Sequence, residues 1–217
     1  MTRSTNARLA GFTFLFYIVA GVISLLLGAG SGEGTAARLA DIAQHSGAVR
    51  ASLLLAPLMW MSAIVLAVTL YSLTREEDPD LALLVLACRV GEGVVGATGT
   101  VASVGLLWVA TSTGLPAPDP LAGFLFQWGG WNTTISALFF AIGSTIFSYL
   151  LLRGRMVPVV LAWLGVVASV VLVVGLPLQL AGFLQGSVTN VMWIPMAAFE
   201  IPLGFWLIFK GVARRTG

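Results

Sequence analysis

Three formal charges fall deep inside apolar stretches of this chain: Arg89, Glu92 and Glu200. Arg89 and Glu92 are three apart, so on a helix they share a face and can pair. That face continues through Gly96, Gly99 and Ser103, a narrow stripe of small residues. Charges at membrane depth are costly, turn toward a bundle interior or a cavity, and mark function. Left unpaired, each would cost roughly 2.5–3.5 kcal/mol on insertion scales. One guanidinium fork shared by two carboxylates removes most of that cost. One negative charge is then left over. Either one glutamate holds a proton or a cationic group completes the site. A proton held by such a pair is available for acid–base chemistry, so Glu92 and Glu200 are the candidate proton donors and acceptors. The alternative is a structural latch that fixes helix register. Buried ion clusters stabilise poorly compared with apolar packing, which favours function over the latch.

Other residues of suitable type surround these three. Trp60 lies too deep for an interfacial aromatic belt. Its indole N–H needs a partner, and a glutamate is an available one. Trp193, Met196, Ala197 and Gly204 lie along one side with Glu200. Pro202 and Pro195 cannot donate to the carbonyls of Ala198 and Val191. Freed carbonyls are tolerated in membranes where protein or a wet cavity satisfies them. Tyr17 and Asn132 complete the set. The expected ligand-binding residues are therefore Arg89, Trp60, Trp193, Tyr17 and Asn132, with plain packing the alternative for the last two and for Trp60.

The elements that position these residues must be membrane helices. Of the 217 residues, 58% are hydrophobic and only 9% are charged, against roughly 25% charged in a soluble domain. So little polar surface cannot cover a globule in water. A span needs about 20 apolar residues, and six fit, at about 9–29, 50–74, 81–111, 131–152, 157–184 and 190–210. The first is longer than the ~7–15-residue core of a signal peptide and is read as a retained span. Arg3, Arg8, Arg75, Arg153, Arg155, Lys210, Arg214 and Arg215 then fall on one side, and only Arg38 and Arg50 on the other. The positive-inside rule places both termini in the cytoplasm. By helical rise, Glu92 and Glu200 come to similar depth from opposite faces. They meet only if spans three and six are neighbours.

Between spans one and two, Ala36, Leu39, Ile42 and Ala43 recur at helical spacing, which predicts a short interfacial amphipathic helix. Segment 112–130 is rich in Pro and Gly and then aromatic (Phe124, Phe126, Trp128, Trp131), and reads as an outer loop with interface anchors. Glu76, Glu77, Asp78 and Asp80 are close enough to hold a divalent cation. The stronger expectation is that Asp78 and Pro79 start a helix. One cysteine and one histidine exclude a Cys- or His-based metal cluster. Residues 91–96 match GxGxxG, but no strand precedes them, so nucleotide binding is set aside. No cofactor, metal or nucleic-acid partner is expected; the bilayer is, and an oligomer is possible.

The order of several short motifs resembles a bacterial membrane-protein family known as domain of unknown function 4386. They are Arg8-Leu-Ala-Gly11, Leu39-Ala-Asp-Ile-Ala43, Arg89-Val-Gly-Glu92, Gly154-Arg-Met-Val-Pro158, Leu161-Ala-Trp-Leu-Gly165, Glu200-Ile-Pro-Leu-Gly204 and Lys210-Gly211. The resemblance covers nearly the whole chain. It implies a six-helix integral membrane protein, singles out Arg89, Glu92 and Glu200, and implies no chemistry.

The expected fold is an all-α, single-domain bundle of six transmembrane helices with an outward-opening internal cavity. The leading functional expectation is binding of a lipophilic or amphiphilic small molecule at the Arg/Glu/Glu cluster. The alternatives are an acid–base enzyme acting on a lipid or isoprenoid by terpene-cyclase-like protonation, a proton-coupled transporter, and a structural subunit.

Overall fold

The computed structural model describes residues 2–28, 30, 32–113 and 118–213. Arg214 and Arg215 of the basic tail lie outside the described residues. The helices are α1 (Arg3–Gly28), α2 (Thr35–Gln44), α3 (Ser46–Thr74), α4 (Pro79–Thr111), α5 (Pro118–Arg153), α6 (Val159–Leu180), α7 (Val188–Val191) and α8 (Ile194–Phe209). Six are long and apolar enough to cross a membrane when α7 and α8 are taken as one span, Val188–Phe209. No strand occurs among the described residues. The chain is a multi-pass, all-helical membrane protein.

Helix boundaries depart from the sequence expectation in several places; α1 and α3 begin early, at Arg3 and Ser46 instead of residues 9 and 50. The fourth span was expected from residue 131, but α5 begins at Pro118. Pro118 and Pro120 sit in the first turn, where the missing N–H has no intrahelical partner to lose. The Pro-rich segment therefore opens a helix instead of forming a loop. In the sixth span the chain turns between α7 and α8, and Pro195 falls at the start of α8. It begins that helix and does not break one, so only Pro202 interrupts a helical ladder there. The fifth span, α6, ends at Leu180, short of residue 184.

The six spanning helices form a closed ring in chain order: α1 against α3, α3 against α4, α4 against α5, α5 against α6, α6 against α8, and α8 back against α1. Small residues permit the closest approaches. A Cβ on Gly11 would lie 2.5 Å from the Gly204 carbonyl, so α1 and α8 meet backbone to backbone. Close approach through small residues is how membrane helices gain packing without a hydrophobic driving force. On α4, Gly93 faces the Trp60 carbonyl of α3, while Gly96 and Gly99 face Ser136 and Asn132 of α5. The stripe of small residues thus serves the α4–α5 contact.

Packing is uneven along the ring. At the end carrying both termini, apolar residues fill the interior: Ala7, Ala10 and Phe14 of α1, Leu66, Leu70 and Leu73 of α3, Phe147, Leu150 and Leu151 of α5, and Leu203 and Leu207 of α8. Toward the other end, α4 has no buried residue between Gly93 and Ala102, and α1 only Ala20 after Phe14. At ~1.5 Å per residue, α4 and α5 are about 50 Å long and project beyond a ~30 Å hydrocarbon core. Helix α2 lies on that projecting end. Its Leu39 packs with Val109 and Ala122, its Ile42 with Val49 and Leu107, and Arg38 stacks 3.6 Å over the Phe126 ring.

The loops at the termini end are tied by charge. Arg3 bonds Glu76 at 2.6 Å and Arg153 bonds Asp78 at 3.0 Å. Asp78 caps α4 by accepting from the Leu81 N–H at 3.1 Å, as the Asp-Pro pair predicted. That backbone donor, followed by Arg153, holds the Asp78 carboxyl below the usual aspartate range. No cluster of metal-ligating side chains occurs among the described residues.

Candidate functional site

Helices α4 and α8 stand opposite each other in the ring, not side by side. The condition that spans three and six be neighbours is therefore not met, and the cluster forms by a different route. Arg89 extends from α4 across the interior and reaches Glu200 of α8. Its Nη1 donates to Glu92 Oε2 at 2.9 Å, and its Nη2 donates to Ser144 Oγ of α5 at 3.1 Å. Glu200 Oε1 stands 3.9 Å from Nη2, within ion-pair range but too long for a hydrogen bond. The residues are 1%, 3% and 7% exposed respectively, so these charges are buried in the bundle.

Each flank of the guanidinium is closed. Phe140 of α5 lies 4.7 Å from Arg89 Cζ and Phe14 of α1 lies 5.5 Å away, both within cation–π range. Tyr17 of α1 donates its hydroxyl to Glu92 Oε1 at 3.0 Å. Both Glu92 oxygens are thus engaged. Ser136 of α5 donates to the Glu92 backbone carbonyl at 2.9 Å, holding this turn of α4 to its neighbour. Two polar positions remain unmet. Arg89 Nε is buried without a hydrogen-bond partner among the described residues. Glu200 accepts no hydrogen bond there, and Arg89 is its one charged contact.

Helix α8 places Glu200 at the interior for identifiable reasons. One turn on, Gly204 seats against Gly11, fixing the rotation of α8 relative to α1. One residue earlier, Phe199 packs onto Gly165 of α6 beside Ser148 of α5. Pro202 removes the N–H that would bond the Ala198 carbonyl, loosening the ladder beside Glu200.

Of the seven residues singled out by sequence, Arg89, Glu92, Glu200 and Tyr17 come together. Trp193 is near this group through its packing on Phe140, with ring centroids 6.1 Å apart. Trp60 touches α4 through its backbone carbonyl at Gly93. Among the described residues the hydrogen bonds to the Glu92 carboxylate come from Tyr17 and Arg89, not from the Trp60 indole. Asn132 lies further along the α4–α5 contact, accepting from Thr98 at 2.8 Å and donating to the Val95 carbonyl at 2.9 Å. It clamps two helices. Phe14, Phe140 and Ser144 complete the site and were not singled out. Phenylalanines in apolar spans carry no signal of their own. Ser144 shares α5 with Thr134, Ser136, Thr145 and Ser148, so its residue type alone did not set it apart.

The cluster sits where close packing along α1 and α4 ends. Glu92 and Gly93 are the last buried positions of α4 before the unburied stretch, and Phe14 holds the same place on α1. On the α6–α8 side close packing continues past the cluster, through Leu172 and Leu176 of α6 and through Met192 and Met196. A separate surface concavity of about 280 Å³ lies against α2, lined by Ala36, Leu39, Ala40, Val109 and Asp119 among others. It shares no residue with the cluster.

No curated protein and no solved structure matches this chain. The family model described as Domain of unknown function (DUF4386) matches residues 9–211. That span takes in every helix carrying the cluster, and the chain belongs to this family.

Proposed function

We propose that the Arg89–Glu92–Glu200 cluster is an intramembrane binding site for a lipophilic or amphiphilic small molecule. The observation that carries this is the state of Glu200: enclosed by the bundle, 3.9 Å from its nearest cation, and accepting no hydrogen bond among the described residues. A latch selected for stability would close that gap, because a buried charge is costly unless paired and hydrogen-bonded. The site is instead prearranged around Arg89, with Ser144, Tyr17 and two phenylalanines fixing the fork, and leaves one carboxylate open to a partner. The ligand's polar end meets Glu200, and its apolar part lies in the loosely packed half of the ring, toward α2. By the positive-inside rule the termini end is cytoplasmic and the α2 end is external, in a bacterial-type inner membrane.

Acid–base catalysis on a lipid or isoprenoid remains the second reading, favoured by the same open carboxylate beside aromatic side chains. Native mass spectrometry with lipidomics of the purified protein tests the proposal. The wild type is expected to carry a bound amphiphile that Glu200→Gln and Glu92→Gln release. Equal occupancy in all three proteins would refute the site, as would a wild type that carries nothing.

A further inference from the structure

We infer that the molecule held by this cluster, if the cluster is a binding site as proposed above, is a lipophilic monocation: an ammonium group on an apolar body, seated against Glu200. The charge inventory comes first. The cluster brings one guanidinium and two carboxylates together, so a monocation brings it to neutrality. Geometry assigns the surplus to Glu200. Arg89 is committed to Glu92 at 2.9 Å and to Ser144 at 3.1 Å, while Glu200 stands off at 3.9 Å. The Tyr17 hydroxyl is also committed to Glu92. An N–H donor placed at Glu200 gains a charge-assisted hydrogen bond in a water-poor setting.

The surroundings suit a cation as well. Trp193 packs on Phe140 at 6.1 Å between ring centroids, and Phe140 in turn lies 4.7 Å from Arg89 Cζ, so the cluster has aromatic surface beside it, and aromatic faces attract ammonium groups. An anion would instead face two carboxylates over one guanidinium. A neutral alcohol is the closer rival. Its O–H can donate to Glu200, and its lone pairs can meet the unpartnered Arg89 Nε–H, but it brings no charge, so the cluster is neutral around it only with a proton on a glutamate. Charge sign therefore separates the possibilities.

The test uses the full chain in nanodiscs with three matched probes: decylammonium, decanol and decanoate. Retained probe is measured by native mass spectrometry, and Glu200→Gln serves as the background for bilayer partition. Decylammonium is expected to bind at least tenfold better than either other probe. Glu200→Gln lowers it to the decanol level, whereas Glu200→Asp, which keeps the charge, retains the preference. Equal binding of decanol and decylammonium, or a preference for decanoate, overturns the cation. In those cases the site itself survives only if Glu200→Gln lowers the probe that does bind. No probe above the Glu200→Gln background overturns both. The ranking on the wild-type chain needs no variant, so it stands even if a variant fails to fold.

Discussion

Replacing Arg89 by methionine removes the one cation from the interior and leaves its partners in place. Glu92 then loses a 2.9 Å ion pair while it stays about 3% exposed. Breaking a buried pair by removing one partner costs about 3–5 kcal/mol, because the remaining charge is uncompensated. The Ser144 bond and the contacts with Phe140 and Phe14 go with it; these overlap with the ion-pair loss and are not added to it. For a chain of this length, that corresponds to a melting temperature lower by roughly 6–20 °C. The chain carries seven tryptophans, so intrinsic fluorescence during a thermal ramp in nanodiscs reads the transition. The double variant Arg89→Met with Glu92→Gln removes the nearer of the two carboxylates that the single variant orphans, leaving Glu200 unpaired in both. It is expected to melt above the single Arg89→Met variant, with a coupling of about 1–3 kcal/mol. A single variant that melts within ~2 °C of wild type, or a double variant whose cost is the plain sum of the two singles, would refute the ion-paired cluster.

Tyr17→Phe removes only the hydroxyl that donates to Glu92; hydrogen bonds to charged groups contribute about 1.5–3 kcal/mol, so its melting temperature should fall, but less than for Arg89→Met. Gly11→Leu and Gly204→Leu drive a side chain into the facing backbone at the α1–α8 contact, and both should cut the yield of monodisperse protein sharply. Gly47→Ala, where a Cβ meets nothing within 4 Å, should leave that yield unchanged, and an equal loss would remove close approach as the cause. For Asp78 the folded carboxyl titrates below its unfolded value. Its cap therefore stabilises fully above the ordinary aspartate range and is lost as pH falls through the lower, folded value. Asp78→Ala should melt below wild type at neutral pH and converge with it on acidification; a gap that widened in acid would reverse the sign of this effect.

Much of the architecture was legible because membrane helices announce themselves by length and apolarity. Alternating loop charge gave the number of spans, and six helices are long and apolar enough to cross a membrane. The cluster was legible because Arg89, Glu92 and Glu200 are conspicuous in such segments, and helical rise put the glutamates at one depth. Sequence could not say how two helices at that depth meet. The ring answers it with the length of an arginine side chain, which spans an interior that the α4 and α8 backbones do not close. Depth also misled where it was taken for direction. Trp60 is at a suitable level, yet what it offers α4 is its carbonyl. Asn132 belongs to α5 and packs against Gly99 of the α4 stripe, so it serves a helix contact. The start of α5 was hidden because proline marks loops and first helical turns alike.

The most direct measurement is an experimental structure of the protein crystallised from a lipidic mesophase, read at one atom pair. If the cluster is a ligand site, non-protein density should contact Glu200 within about 3.5 Å, the outer limit of a hydrogen bond, and continue toward α2 between α1, α4 and α8. Glu200 drawn onto Arg89 at hydrogen-bonding distance, with side chains packed over both and no density between, would show a closed latch and contradict it.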